Sequence, residues 1–403
     1  MSLLRDKNVL LGVSASIAAY KSAHLVREFI KQGANVRVVM TPESLSFVTP
    51  LTLSTLSKNP VLSSLVKEED NTIWNNHVEL GRWADFMVIA PATAKTISKM
   101  ASGECDNLLL TTYMSASCTV YFAPAMDLDM LKHTSNQKNI QQLIELGNIY
   151  IPVQKGELAS GLFGKGRMAE PDEIVNFIKK DFLKKMPLYK KKILITAGPT
   201  FEPIDSVRFL GNHSSGKMGY ALAEEVANKG ASVVLISGPT HLQLSHSHIQ
   251  LVQVTTSDEM FQACIQHFEH MDAAILSAAV ADYKPVSFVK GKIKKTVDQL
   301  SLKLEKTKDI LKHLGEIKKK QILIGFALEV ENEISNAKKK IISKNLDFIV
   351  LNSLNDNGAG FKTDTNKIVI IDNDNKLHNF ELKSKKEVAA DIINHMIKYL
   401  NGI

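Results

Sequence analysis

Short apolar runs alternate along this chain with stretches whose apolar residues recur every three or four positions. NVLLGVS (8–14), NVRVVMT (35–41), DFMVIAPAT (85–93) and CTVYFAPAM (118–126) are nearly continuous in apolar residues, as expected of strands buried on both faces of a parallel sheet. Between the first two, Leu25, Val26, Phe29 and Ile30 share one helical face and predict a helix over about 18–32. Gly33 follows where a helix end favours a left-handed residue. The rhythm is that of βαβ units.

It fades after GKGRMAEPDEIVNFIKK, and a Lys-rich stretch holding Met186 and Pro187 leads into a fresh strand, KKILITAGPT. A boundary is expected near residues 183–190, with domains of 1–185 and 186–403. A second series then predicts a strand over 192–196, a helix over 217–229 closed by Gly230, and strands at ASVVLIS, DAAILSA, ILIGFA and LDFIVLN. FEPIDSVRFL (201–210) reads as a long loop. The tail IVIIDNDNKLHNFEL predicts a hairpin around Asp374 and Asn375, followed by a closing helix to about residue 400. No short-period repeat or low-complexity segment is present. Two α/β domains of doubly wound type are expected, with ligands beyond the carboxyl ends of their strands.

Composition narrows the class. A chain of 403 residues exceeds one core's usual span, and 44% hydrophobic with 23% charged residues is ordinary for globular proteins. Cys105, Cys118 and Cys264 are widely spaced and odd in number, which argues against a disulfide framework or structural zinc and for a reducing compartment, the cytoplasm. VLLGVSASIAAY passes for a signal-peptide core, but Asp6 flanks it and it runs on into the amphipathic pattern around Lys21 and Arg27. No apolar stretch approaches the ~20 residues that span a bilayer, so no membrane role is expected. The net charge of +7 gathers at 179–192, at GKIKK (291–295) and at KKK (338–340), without interleaved aromatics. Small phosphate-bearing substrates suit that footprint better than nucleic acid.

Candidate chemistry lies at the strand ends. GVSASIAAYK (12–21) is a small-residue loop entering a helix, able to offer N–H groups and the hydroxyls of Ser14 and Ser16 to a phosphate. It lacks the three-glycine dinucleotide fingerprint, so a mononucleotide flavin suits it better than NAD, and a merely tight strand-to-helix turn stays an equal alternative for the loop by itself. Thr41 and Thr93 repeat the pattern after the next strands. His77, ahead of DFMVIA, is a candidate general acid or base.

The strings SASIAAYK, HVELGRWAD, APATAKTISKMASGECDNLL and APAMDLDM, in this order and spacing, resemble the flavin-dependent cysteine decarboxylases, specifically the phosphopantothenoylcysteine decarboxylase domain, over essentially all of residues 5–180. The resemblance implies a flavodoxin-like fold, FMN held by Ser14, Ser16, Thr41, Thr93, Asn107 and Met126, and a trimer with the flavin between subunits. It makes His77 the catalytic base. Two positions depart from the family pattern. Asp127 replaces an asparagine that contacts the substrate carboxylate. The expectation is that like charge and partial burial keep it protonated, as a donor. Ser160 replaces a proton-donating cysteine and is a far weaker acid than a thiol of pKa about 8.5. Complete turnover with Asp127 supplying the proton is expected; the alternative is a domain that stops at the oxidised enethiol, leaving a ligase only.

In the second half, GNHSSGKM (211–218) satisfies G-x-x-x-x-G-K but carries Met218 where a Walker A loop needs Ser or Thr. TAGPTFEPIDSVRFLGNHSSGKMG, SAAVADYKP, KGKIKK, TKDIL and IGFALE together resemble the bacterial phosphopantothenate–cysteine ligase domain, over residues 192 to about 355. The resemblance implies activation of the 4′-phosphopantothenate carboxylate by CTP, with Mg²⁺ held mainly through the nucleotide phosphates, and then attack by L-cysteine. It implies that Asn212 steadies the acyl intermediate and that Lys292 neutralises phosphate charge. It also implies that Ser277, Ala278, Asp282, Lys308, Asp309, Ile310, Leu311, Phe326, Lys340 and Lys344 hold the nucleotide. Such chemistry wants cations around the phosphates and an amide aimed at the acyl oxygen. The two halves together resemble the bifunctional enzymes of coenzyme A synthesis, a Rossmann-like ligase domain following the flavin domain. Trimers through the first, dimers through the second and a dodecamer from both are the assemblies implied.

Overall fold

The computed structural model describes residues 3–67, 70–244, 246–294, 300–329, 332–353 and 364–402. The chain divides into two compact units, one ending at Leu183 and the other running from Lys184 to Ile403.

In the first unit the apolar runs become five parallel strands: β1 (Asn8–Val13), β2 (Asn35–Met40), β3 (Phe86–Ala92), β4 (Thr119–Pro124) and β5 (Ile149–Tyr150). They stand in the order 2-1-3-4-5, with the two-residue strand Val61–Leu62 added in parallel to the β2 edge. This is the flavodoxin order, whose switch point falls between β1 and β3. Four helices bear on the site: α1 (Lys21–Lys31), α2 (His77–Trp83), α3 (Ala94–Ser102) and α4 (Leu108–Ser115). Strand side chains alternate between faces. Val9, Leu11, Phe86 and Val88 therefore pack on Leu25, Val26 and Phe29 of α1, while Leu10, Met87 and Ile89 pack on Ile97 of α3 and Leu108–Leu110 of α4. Each of these large side chains stabilises the fold by about 1.5–3 kcal/mol relative to exposure. Gly33 ends α1 at φ 84°, as the spacing predicts.

The second unit carries one eight-stranded sheet of β6 (Lys192–Ala197), β7 (Ser232–Ser237), β8 (Ile249–Gln253), β9 (Ala273–Leu276), β10 (Ile322–Glu329), β11 (Phe348–Ser353), β12 (Ile368–Asp372) and β13 (Leu377–Asn379). Their order is 8-7-6-9-10-11-12-13, parallel through β11 and antiparallel beyond. The order reverses between β6 and β9, the Rossmann switch point. Helices α5 (Lys217–Asn228), α6 (Ile310–Ile317), α7 (Glu333–Ser343) and α8 (Lys385–Leu400) flank it. Ile193 and Ile195 face α5 and α8, whereas Leu194 faces α6 and α7. Gly230 (φ 97°) follows α5, and Asn375 (φ 65°) turns β12 into β13.

One expectation is corrected. The stretch 201–210 is no loop: Phe201–Pro203 pairs antiparallel with Phe209–Gly211. Asp205 closes the turn by accepting the Val207 and Arg208 N–H groups, and the Phe201 and Phe209 rings stack with centroids 3.9 Å apart. Two further hairpins, Gln154–Glu157 with Phe163–Arg167 and Tyr283–Pro285 with Leu304–Lys306, are too short and polar to carry a period-two signal. Among the described residues, no helix is long and apolar enough to cross a membrane.

Candidate functional site

At the carboxyl end of the first sheet, the loops after β1, β2, β3 and β4 converge on a cavity of about 360 Å³. Ser16, Thr41, Thr93, Asn107 and Met126 line it, joined by Glu43, Lys95 and Lys99, which the sequence reading passed over. Several of these side chains cap helices. Thr93 accepts the Thr96 N–H at the start of α3, Asn107 accepts the Leu110 N–H at the start of α4, and Ser16 accepts the Ala18 N–H. Two helix N-termini thus frame the cavity, and their dipoles favour an anion. Thr41 Oγ1 is buried there without a partner, a hydroxyl waiting for one. Lys95 pairs with Glu43 at 2.6 Å, and its hydrogen bond holds that carboxyl below the usual range. Lys99 pairs with Glu104 at 2.9 Å and with Asp106. Ser14 lines neither this cavity nor its neighbour. Its hydroxyl donates to the Pro91 carbonyl at 2.7 Å and accepts the Thr93 N–H, tying β1 to the loop after β3.

A second cavity, of about 510 Å³, abuts the first on Ser16, Ala125 and Met126. Asp127, Glu157, Arg167 and Lys21 bring charge to it. Asp127 Oδ1 accepts the Leu128 N–H at 2.6 Å as the cap of a short helix. An asparagine oxygen would make the same cap. Lys21 is buried and donates to the Met168 carbonyl at 2.9 Å and to Glu170 at 2.8 Å, while Arg167 reaches Glu170 at 2.9 Å. Burial works to raise the Glu170 pKa, but Lys21 and Arg167 outweigh it and hold the carboxyl ionised. The hairpin Gln154–Glu157/Phe163–Arg167 covers this side. Gly166, at φ 153°, lets it close on Met126, whose carbonyl a Cβ there would strike. Ser160 is exposed in the hairpin's connecting loop and lines neither cavity.

His77 opens α2 behind the Asn76 cap, lines neither cavity, and meets Trp74 edge to face at 5.1 Å. Its Nδ1 is buried and unpartnered. Ile73, Trp74 and Val78 around it are exposed.

In the second unit, the switch point holds two cavities that share Ala278, Ala279, Phe326 and Leu328. The larger, of about 660 Å³, is lined by Asp282, Lys308, Asp309, Ile310, Leu311 and Lys344 among the expected residues, and by Tyr283, Lys306 and Thr307 besides. Asp309 caps α6 and pairs with Lys344 at 2.9 Å. Burial pushes its pKa up, but Lys344 and the Lys312 N–H prevail, so the carboxyl titrates below the usual range. The smaller, of about 160 Å³, lies against Ser277 and the start of α5. Gly219 allows that approach, since a Cβ there would come within 2.5 Å of Ala197 Cβ and 2.9 Å of Ser277 Oγ. Asn212 donates to the carbonyls of Ala279 and Val280, both at 3.1 Å. Lys292 and Lys340 line neither cavity. The Lys292 segment is tied down by Asp205, which accepts the Ile293 N–H at 3.1 Å.

Two doubly wound domains, each with a pair of adjoining cavities at the carboxyl ends of its strands, define a two-domain α/β enzyme of small-molecule ligands. Residues 2–183 match the family described as Flavoprotein, and residues 188–400 match the one described as DNA/pantothenate metabolism flavoprotein C-terminal domain. The chain is 42% identical to the Coenzyme A biosynthesis bifunctional protein CoaBC of Bacillus subtilis (strain 168), over 97% of each chain. It is 52% identical to a protein of an unknown prokaryotic organism named Cysteine/Cysteine sulfinic acid decarboxylase, over 87% of this chain and 99% of that one. A crystal structure of the C-terminal domain of a Coenzyme A biosynthesis bifunctional protein CoaBC matches 54% of this chain and all of that one, at 42% identity and a TM-score of 0.47. The chain belongs to the family of bifunctional coenzyme A biosynthesis proteins, with a flavoprotein decarboxylase domain followed by a ligase domain.

Proposed function

We propose that the second domain joins L-cysteine to 4′-phosphopantothenate through a CTP-derived acyl-cytidylate, and that the first domain, carrying FMN, decarboxylates the product to 4′-phosphopantetheine. Adjacency carries this reading. In each domain two cavities meet on shared residues, Ser16, Ala125 and Met126 in one and Ala278, Ala279, Phe326 and Leu328 in the other. A reaction between two bound groups needs them side by side.

The residues of the first cavity fit FMN: the unpartnered Thr41 hydroxyl, the helix starts behind Thr93 and Asn107, and the ammonium groups of Lys95 and Lys99 suit its phosphate and polar ring edge. The flavin supplies a two-electron acceptor and donor next to the thiol. The second cavity then takes the cysteinyl end. Asp127 is the acid there, because it lines the cavity, whereas Ser160 is a weak acid and stands exposed just beyond the wall at Ala159. His77 acts as base from a second copy in a homotrimer, which would also cover Ile73, Trp74 and Val78. In the ligase, Lys308 and Lys344 meet the CTP phosphates with Mg²⁺, Asn212 turns an N–H from the Ala279 or Val280 carbonyl to the acyl oxygen, and Lys292 and Lys340 close over them. A cytoplasmic location suits these substrates.

The relative at 52% identity supports a second reading, in which the first domain accepts free cysteine or its sulfinate. Carbon dioxide release from phosphopantothenoylcysteine and from free cysteine, each given to the purified protein at equal concentration, separates the two. Release at least about a hundredfold faster from phosphopantothenoylcysteine is expected, since the remote part of the larger substrate contributes binding that free cysteine lacks. Equal or faster release from cysteine would establish the second reading instead.

A further inference from the structure

The cavity proposed for the cysteinyl end has to hold a carboxylate. Among the described residues that line it, Asp127 and Glu157 bring negative charge, and Lys21 and Arg167 positive charge. Asp127 is poorly suited to that task. Its Oδ1 is engaged by the Leu128 N–H, and a carboxylic acid has a single hydrogen to donate, where an asparagine amide has two. The reaction proposed above gives that hydrogen to the substrate, so the carboxylate needs another partner. Glu157 repels it, and pairs with Phe163, at the opposite end of that strand from Arg167.

Lys21 and Arg167 meet on one carboxylate oxygen: Glu170 Oε1 accepts from Lys21 Nζ at 2.8 Å and from Arg167 Nη2 at 2.9 Å. Glu170 is ionised, so two cations share one anion and one positive charge is left over. The two cations are not equivalent. The Lys21 side chain is 4% exposed and also donates to the Met168 carbonyl, which fixes it as a buried strut between α1 and the foot of the hairpin. The Arg167 side chain is 41% exposed. A guanidinium has five N–H donors, so with Nη2 on Glu170 its Nη1 edge remains for a ligand. Arg167 also follows Gly166, whose carbonyl accepts the Met126 N–H at 3.2 Å, and Met126 borders both cavities.

We propose that Arg167 binds the substrate carboxylate, with Glu170 and Lys21 as the residues that position its guanidinium. This role rests on the decarboxylase reading above and adds the group that recognises the part of the substrate lost as carbon dioxide. Arg167 acts in binding alone and keeps its protons throughout.

The test compares a ligand that has the carboxylate with one that lacks it. KM for phosphopantothenoylcysteine and competitive inhibition by 4′-phosphopantetheine, the same molecule without the carboxylate, are measured on the full-length protein as wild type and Arg167→Met. The methionine variant is expected to raise KM about thirtyfold, because a charge-assisted hydrogen bond is lost. Inhibition by 4′-phosphopantetheine should stay within about twofold of wild type, since it makes no such bond. The yellow flavin absorption should be retained, because Arg167 does not line the cavity proposed for the flavin. An unchanged KM, or an equal weakening of both ligands, would overturn the proposal. If the methionine variant does not keep its flavin, Arg167→Lys, which keeps the charge but loses the fork, is judged by the same pair of measurements, with a rise in KM of about fivefold expected. Absence of carbon dioxide release from phosphopantothenoylcysteine by wild type would instead defeat the decarboxylase reading, and this inference with it.

Discussion

The Asp205 carboxylate is fully enclosed and accepts three backbone N–H groups, from Val207, Arg208 and Ile293, at 2.8, 2.7 and 3.1 Å. Burial pushes its pKa up, but these bonds and the Arg208 charge prevail, and it stays ionised. An amide accepts on one side only. Asp205→Asn should therefore release the segment that carries Lys292, lowering ligase turnover about tenfold and leaving decarboxylation intact in the same sample. His395 is a residue of the opposite kind. Burial, with smaller contributions from His378 and Lys398, lowers its pKa to about 4 against the opposing pull of Asp372. The folded state therefore binds fewer protons than the unfolded one between about pH 6.5 and 4. The stability this gives is complete above about 6.5 and is lost as pH falls toward 4. Unfolding free energies from urea titrations at pH 7.5 and 5.0 should differ by about 2 kcal/mol from this group, and His395→Leu should remove that part of the difference.

At the scale of elements, the legible parts of the sequence were those with long periods. The α1 stripe of Leu25, Val26 and Phe29, the continuous β3 run, and the turns at Gly33, Gly230 and Asn375 all stand where the pattern predicts. The short hairpins escaped it, since strands of three to five residues carry little period and their closure depends on tertiary contacts such as Asp205 to Ile293 and Gly166 against Met126. Site residues divide likewise. Residue type at a strand end points to the Ser16, Thr41 and Thr93 region, but only the fold shows that Ser14 is spent on Pro91 and that Lys385, over a hundred residues downstream of Ser277, lines the same cavity. The hairpin that carries Leu158 and Ala159 borders the cavity proposed for the substrate and does not line the one proposed for the flavin. Replacing residues 158–162 by a two-residue turn should keep the yellow flavin absorption while decarboxylation falls about tenfold or more, through lost closure over the substrate. Loss of the flavin from a folded protein would contradict that division of labour.

At the scale of the whole molecule, one chain carries a ligase domain and a decarboxylase domain, and the product of the first reaction is the substrate of the second. Asp127 and Ser160 make the second reaction the more exacting test, because each departs from the pattern of the decarboxylases that the first domain resembles. The decisive measurement is mass spectrometry of the products formed when the purified protein is given 4′-phosphopantothenate, L-cysteine, CTP and Mg²⁺. The account predicts that 4′-phosphopantetheine accumulates; phosphopantothenoylcysteine or the oxidised enethiol as the end product would contradict complete turnover in the first domain, and no new product would contradict the account as a whole.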